Sequence, residues 1–452
     1  MLYTLLIIWW VVCGILILRS SGVKRLCFYF LGILYVPATI DIIPQSMLMG
    51  HFFYATMFIL SMILYNEFKL KTFTSCPLFS ILGWVFVSYL LIGLFDERVS
   101  TPLSIYRAIH AFCGSYFLFY LGWVSINQKD RNYRFLGSVP GHDGDYNIFF
   151  RTILPLTLLM TLFGLYTGLT HTNPILDAVG LEDRFLMESN EDTYRGFRVT
   201  AMCISSSVYG LVCATLFLCS FFTTKHKSIL RWLALGLLLI NLILSATRAA
   251  IIPFIIGLFV FILIHKGITG ILRTFIILLI TVLFLFPLLP SSVTDYLSQM
   301  TDSISDVILP GGTGGSKYGG SSVDAREMQI ITAMEYLKEK PFFGHGFGYY
   351  GEVLSQGEKV EGVLGMESYL CFMGVERGLV NFCVEIIFYI CSFYYFIKNR
   401  VYNRLYADLG IALLTMFIPF LIFAWVGGCW FFFMPVLGYV AKVVYLSKFR
   451  QF

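Results

Sequence analysis

The sequence predicts an all-α protein that threads repeatedly through a lipid bilayer. Three observations carry this. Hydrophobic residues make up 58% of the chain and charged residues only 13%, against about 25% charged in soluble domains. Apolar runs of roughly 16–20 residues recur from end to end, each long enough to cross about 30 Å of hydrocarbon as a helix. The connections between them alternate in charge, as loops on opposite faces of a membrane do.

The first run, Met1 to Leu18, has no basic leader and no small-residue cleavage site, and reads as a retained helix rather than a signal peptide. Further runs lie near 27–44, 50–66, 77–95, 102–124, 148–170, 200–222, 229–246, 249–265, 271–290, 378–397, 408–426 and 428–446. One set of connections is basic: Arg19, Lys24 and Arg25; Lys69 and Lys71; Lys129, Arg131 and Arg134; Lys225, Lys227 and Arg231; Lys266 and Arg273; Lys398, Arg400 and Arg404; Lys448 and Arg450. The other short connections, Asp41 to Gln45, Asp96 to Ser100 and Gly427–Gly428, are neutral or acidic. The positive-inside rule makes the first set cytoplasmic, giving about 13 transmembrane helices (roughly 12–14), an outer N-terminus and an inner C-terminus. The net charge of +5 therefore marks cytoplasmic loops; it implies membrane lipid as surroundings and no nucleic-acid partner. The eleven cysteines mostly sit inside apolar runs, as Cys13, Cys113, Cys213, Cys383 and Cys391 do, and form neither a disulfide framework nor a metal-type pattern.

The chain divides into N-terminal spans with a first outer loop (1–228, loop 171–199), spans carrying a Ser-Ala-Thr-Arg turn (229–290), a large outer loop (291–366) and C-terminal spans (367–452). The first outer loop mixes Asp177, Glu182, Asp183, Glu188, Glu191 and Asp192 with Arg184, Arg195 and Arg198. In the second, Gly311 to Gly320 is glycine-rich enough to act as a flexible lid or linker. A helix follows: Ser321 and Asp324 form a capping pattern, Ile330, Ile331, Met334 and Leu337 repeat at helical spacing, Lys338 and Lys340 suit the negative helix end, and Pro341 stops it. This amphipathic helix suits either the outer bilayer surface or packing on the other loop.

Several groups in these segments can carry chemistry. Arg248, at a membrane border among small residues, suits a phosphate or a headgroup. Arg107 and His110, three residues apart, share a helix face and either line an outward cavity or make a contact between helices. Glu367 stands where the outer loop re-enters the membrane, beside Ser368. A carboxylate in a partly dry mouth can act as a base; the plainer reading is a solvated glutamate at a helix start. Glu376 and Arg377 can satisfy each other, or Arg377 can face substrate. The run Gly344-His345-Gly346-Phe347-Gly348 lacks the ending of a nucleotide loop; its glycines predict tight turns and close backbone approach, and a lone histidine such as His345 is more often structural. Gly164 and Gly168 have the spacing of closely packed helices. No metal-ligand cluster is present, and neither a metal nor another cofactor is expected.

From the residues alone this is a multi-span protein with arginines converging on an outward site suited to an anionic lipid-linked substrate. The order of features adds more. Arg248 in a small-residue turn precedes a long outer loop, then Asp324-x-Arg326 with the amphipathic helix, then K-P-F-F-G-H-G-F-G from Lys340, then E-S-x-x-L from Glu367. Over Leu230 to Glu385 this resembles the O-antigen polymerase and O-antigen ligase family of bacterial inner-membrane glycosyltransferases. The resemblance implies transfer of glycans from an undecaprenyl-diphosphate carrier at the periplasmic face, without metal or nucleotide cofactor. In ligases a His-Asn pair stands where this chain has Glu367-Ser368, which favours the polymerase, acting on a carrier-linked donor and acceptor. The implied roles are Arg248 on the diphosphate, with Arg107 and Arg326 as lesser candidates, and Glu367 as base. His110, Ser368, His345 and Arg377 complete the candidate substrate-binding set. A chain-length regulator is a partner by the family's habit. The alternatives are ligation to lipid A core and, from a different class, a flippase; the halves show no internal repeat of the transporter kind.

Overall fold

The computed structural model describes residues 2–37, 50–126, 148–180, 198–203, 205–223, 229–245, 247–285, 322–355, 368–424 and 428–448. A backbone in hydrocarbon must satisfy its own hydrogen bonds, which leaves helices for runs of this length. Among the described residues there is no strand.

The first helices are α1 (Leu2–Leu18), α2 (Gly22–Tyr35), α3 (Gly50–Leu64), the short α4 (Leu70–Thr74) and α5 (Phe79–Phe95). The run expected as one span over 102–124 is two helices, α6 (Thr101–Cys113) and α7 (Leu118–Val124), separated by a turn through residues 114–117. Next come α8 (Ile148–Thr170), α9 (Pro174–Ala178), α10 (Ser206–Thr223) and α11 (Ile229–Leu244). The two runs near 249–265 and 271–290 join as α12 (Arg248–Leu285), interrupted at Gly267 with φ 71°. The predicted amphipathic helix is α13 (Ser322–Glu339), ending just before Pro341, and a short α14 (Tyr349–Ser355) follows. The chain continues with α15 (Tyr369–Lys398), α16 (Arg404–Phe423) and α17 (Trp430–Lys448).

Among the described residues, five stretches are long and apolar enough to cross a membrane: Thr152–Thr170, Arg248–Arg273, Tyr369–Val401, Arg404–Phe423 and Trp430–Lys448. Shorter apolar helices accompany them, including α1, α3 and α5. This is an all-α, multi-pass membrane architecture. Most of both long loops lies outside the described residues, including the glycine-rich lead-in and Ser321.

α17 is buried along almost its whole length and packs on α7 and α16. The α7 contact is backbone on backbone: a Cβ on Gly438 would lie 2.0 Å from the Phe119 carbonyl oxygen. α12 lies along α16 and α10, α8 along α2 and α11, and α5 between α6 and α15. The Gly164/Gly168 spacing marks close packing as expected, Gly164 against Tyr209 and Asn241, Gly168 against Val199 and Leu244. None of the eleven cysteines is in a disulfide. Where α12 meets α16, buried Asp408 accepts from Arg400 Nε at 2.6 Å and His265 Nδ1 at 2.9 Å. Arg404 Nη2 donates to the Ile264 and His265 carbonyls, and Arg400 Nη2 to Ile264 as well, just before the break at Gly267.

Candidate functional site

The site is built around a break in α15. In an unbroken helix the Leu379 and Val380 amides would bond the Val375 and Glu376 carbonyls. Gly378 instead takes φ 69°, ψ −176°, and the helix parts there. The segment after α13 fills the gap from both sides. Leu379 N donates to Pro341 O at 2.8 Å and Val380 N to Phe342 O at 3.2 Å; His345 N and Gly346 N donate to the freed Val375 and Glu376 carbonyls, both at 2.9 Å. Four backbone groups that would be unpaired in a buried helix are thereby satisfied. The fit leaves no room for a side chain at the crossing. A Cβ on Gly344 would meet Glu376 C at 2.5 Å, and one on Gly378 would meet Gly344 N at 2.5 Å. The close backbone approach expected of this glycine run is the docking of a loop into a helix break.

His345 is held within this joint. Its buried ring stacks on Tyr349, centroids 4.5 Å apart, and its Nε2 bonds the Tyr336 carbonyl at 3.1 Å. A carbonyl only accepts, so Nε2 carries the proton. Burial lowers the pKa of His345, and this outweighs the exposed Glu339 carboxylate 3.6 Å away. Burial likewise raises the Tyr349 phenol, to about 12.

The docked loop forms one wall of a polar mouth. Asp96, at the end of α5, holds Arg98 by both Nε (3.0 Å) and Nη2 (2.9 Å). Arg98 Nη1 reaches Glu352 Oε2 at 2.5 Å, and Arg107 Nη1 reaches Glu352 Oε1 at 2.7 Å. Both arginines also donate to the Phe347 carbonyl, at 3.2 and 3.3 Å. The Arg98 guanidinium lies over the Tyr349 ring, 5.1 Å from its centroid. The Arg98, Arg107 and Glu352 side chains are 20%, 30% and 34% exposed, so water and solutes reach them. His110, one turn after Arg107, stacks on Phe52 at 3.9 Å.

Deeper in, Arg377 and Glu385 form a second arginine–carboxylate pair, Nη1 to Oε1 at 2.8 Å. Tyr89 and Tyr369 hydroxyls lie 2.5 and 2.7 Å from the same Nη1. Tyr116 donates to Glu385 Oε2 at 2.7 Å, and Asn381 to Oε1 at 2.7 Å. Glu376 does not take Arg377 as its hydrogen-bond partner; its buried carboxylate accepts from Tyr350 N at 3.1 Å. The mutual pairing offered by the sequence gives way because neighbouring positions on a helix point apart.

The structure thus joins Arg107, His345 and Arg377 in one assembly of α5, α6, α15 and the 340–352 segment. Arg248 opens α12, in the part of the bundle where that helix packs on α10 and α16. Ser368 is the extended N-cap residue of α15. Arg326 lies on α13, with its side chain outside the described residues; Glu367 lies outside them altogether. Sequence reading missed Arg98, Glu352 and Glu385. Arg98 had one local signal, the Asp-x-Arg spacing at a span end; Glu385 had none, because the break at Gly378 falls between it and Arg377 and voids helical spacing. Among the described residues no three His, Cys, Asp or Glu side chains are grouped as metal ligands are.

Residues 233–384 match the family model described as O-antigen ligase. This part of the chain is thus similar to the O-antigen ligase family. The match coincides with the Leu230–Glu385 resemblance and runs from α11 through the break in α15. It holds Arg248, the docked loop, Glu352 and Arg377, while Arg98 and Arg107 are supplied from outside it. No curated protein matches the chain. The match and the long apolar helices together describe a multi-pass membrane protein with an O-antigen-ligase-like segment.

Proposed function

We propose that the chain polymerises undecaprenyl-diphosphate-linked oligosaccharide repeats into O-antigen or a related surface polysaccharide at the periplasmic face of a bacterial inner membrane. The observation that carries the reading is the mouth in which Arg98 and Arg107 converge on the family's loop. Guanidiniums in a partly desolvated site suit a diphosphate whose charge grows as it leaves. In this reading a hydroxyl of the acceptor repeat attacks the anomeric carbon of the donor sugar. The bond from that carbon to the phosphate oxygen breaks, the lipid diphosphate departs with the electron pair, and direct displacement inverts the centre. Glu367 takes the hydroxyl proton. Arg248, with Arg107 and Arg326, stabilises the leaving group; the scheme invokes no metal or nucleotide cofactor.

Polymerase is preferred to ligase because Glu367-Ser368 stands where ligases carry His-Asn. The test is a polymerase-deficient host complemented with variants, its surface polysaccharide resolved on a gel. Arg248→Ala and Glu367→Gln are each expected to remove the ladder, and a full ladder from either overturns the role assigned to that residue. Deleting a polymerase leaves lipid A core bearing a single repeat. Polymer stranded on its lipid carrier would make the chain a ligase instead.

A further inference from the structure

The mouth holds an arrangement that the scheme above does not use. One carboxylate, Glu352, bridges two arginines, with one oxygen on each: Oε2 to Arg98 at 2.5 Å and Oε1 to Arg107 at 2.7 Å. Arg98 does not depend on Glu352 for its position, and Arg107 has a second bond, to the Phe347 carbonyl. Asp96, whose side chain is fully buried, grips Arg98 through two nitrogens. The Phe347 carbonyl accepts from both arginines, and the docked loop fixes that carbonyl. Glu352 is the most exposed member of the group, at 34%.

We propose that Glu352 is a built-in occupant of an anion site, and that the diphosphate of the lipid-linked donor displaces it from between Arg98 and Arg107. This deepens the reading of the substrate as a lipid diphosphate and rests on it. Two phosphate oxygens on one phosphorus present acceptors much as a carboxylate does, and guanidiniums receive either group. Two guanidiniums held on one carbonyl repel each other unless an anion lies between them. With Glu352 in place the formal charges cancel: Arg98 and Arg107 against Asp96 and Glu352. When its side chain rotates away, the group carries one positive charge and two free donor faces, already aimed. The site is thus kept assembled while empty of substrate, and weaker anions are excluded by the protein's own carboxylate. Specificity follows, because a ligand must outcompete an intramolecular rival, and a diphosphate carries more charge than a monophosphate.

The experiment uses the full chain in discs of phosphatidylcholine, titrated with inorganic pyrophosphate by calorimetry. Glu352→Gln removes the competing charge with little change of shape, and is expected to bind pyrophosphate about tenfold tighter than the unaltered protein, as expected when a charged competitor is removed. Adding Arg107→Ala to Glu352→Gln is expected to abolish the gain. Equal affinity in Glu352→Gln, or a gain that survives Arg107→Ala, overturns the proposal. If Glu352→Gln does not fold, Glu352→Asp makes the same comparison: its shorter carboxylate spans both arginines poorly, so it too is expected to bind tighter, and no gain overturns the idea. A gain of equal size for inorganic phosphate overturns the assignment to a diphosphate. Loss of the gain on adding phosphatidylglycerol to the discs would assign the site to lipid headgroups instead. The two readings fail separately: a ladder lost in Arg248→Ala with no gain in Glu352→Gln removes the occupant and leaves the polymerase.

Discussion

Two arginine–carboxylate groups lie within one assembly of this protein and differ in almost everything except composition. Arg377 and Glu385 are 8% and 1% exposed, and four further side chains, Tyr89, Tyr369, Tyr116 and Asn381, bond to Arg377 Nη1 or to the Glu385 carboxylate. Arg98, Arg107 and Glu352 are open to solvent and share a single carboxylate. A pair this deeply buried is closed to a ligand, and breaking it leaves a charge stranded in a low dielectric. A partly exposed pair contributes little to stability and can exchange partners. Exposure, not residue type, separates a fastening from a binding surface.

Breaking the buried group should have the largest effect. Glu385→Ala is expected to cost about 3–5 kcal/mol, the usual consequence of orphaning a buried charge, read as thermal unfolding in detergent. Replacing both partners, Arg377→Met with Glu385→Leu, should recover most of that loss. A single variant that unfolds within about 1 kcal/mol of the parent would erase the distinction between the two groups.

Next in size is the joint between them. Gly378→Val forces a β-branched side chain into a positive-φ conformation and onto Phe342 and Gly344, at a cost of at least about 1–3 kcal/mol. The amides of Leu379 and Val380 should then exchange with deuterium much faster. Unchanged protection would mean that the loop does not hold the break.

Arg107→Ala should do the opposite of Glu385→Ala. Stability is expected to move by less than about 1 kcal/mol, while, under the proposed function, glycan transfer in membranes falls about 10–100-fold, as for loss of a charge-assisted contact. A large drop in melting temperature would make the mouth a fastening as well.

The smallest effect concerns pH. His345 is neutral in the docked loop and burial lowers its pKa, so the unfolded or undocked state takes up the proton more readily. Its contribution is complete above the ordinary histidine pKa and is lost as pH falls from there toward the lower, docked value. Protection of the His345 and Gly346 amides, taken relative to the intrinsic exchange rate at each pH, should therefore fall on acidification from about pH 7.5 to about pH 5.5. Docking that tightens over that range would contradict a neutral, buried ring.

How far the sequence could be read follows from the range of the forces involved. The apolar runs, the helix ending at Pro341 and the close approach of the Gly344–Gly348 run were legible because each is written within a few residues. The split of 102–124 was not, since the turn through Gly114 to Phe117 is as apolar as its flanks and hydropathy alone cannot see it. The break at Gly378 was hidden for a related reason. A glycine inside a greasy helix signals no break until a second segment, Pro341 to Gly346, supplies the missing bonds. Arg98 and Glu352 lie 254 positions apart, and no spacing rule reaches that far. Arg377 looked free to meet substrate because its partner Tyr89 comes from α5, 288 positions away, and its partner Glu385 lies beyond the hidden break.

The contact between α7 and α17 bears on how such a chain is made. α7 has seven residues, too few to hold itself in a bilayer, and its Phe119 carbonyl is covered by Gly438 of the last described helix. During synthesis α7 must therefore wait, incompletely housed, while nearly every other helix is inserted. A ribosome halted before Trp430 would release a protein containing every residue of the mouth but with α7 unclasped. Quality control in the membrane would be expected to recognise and degrade it.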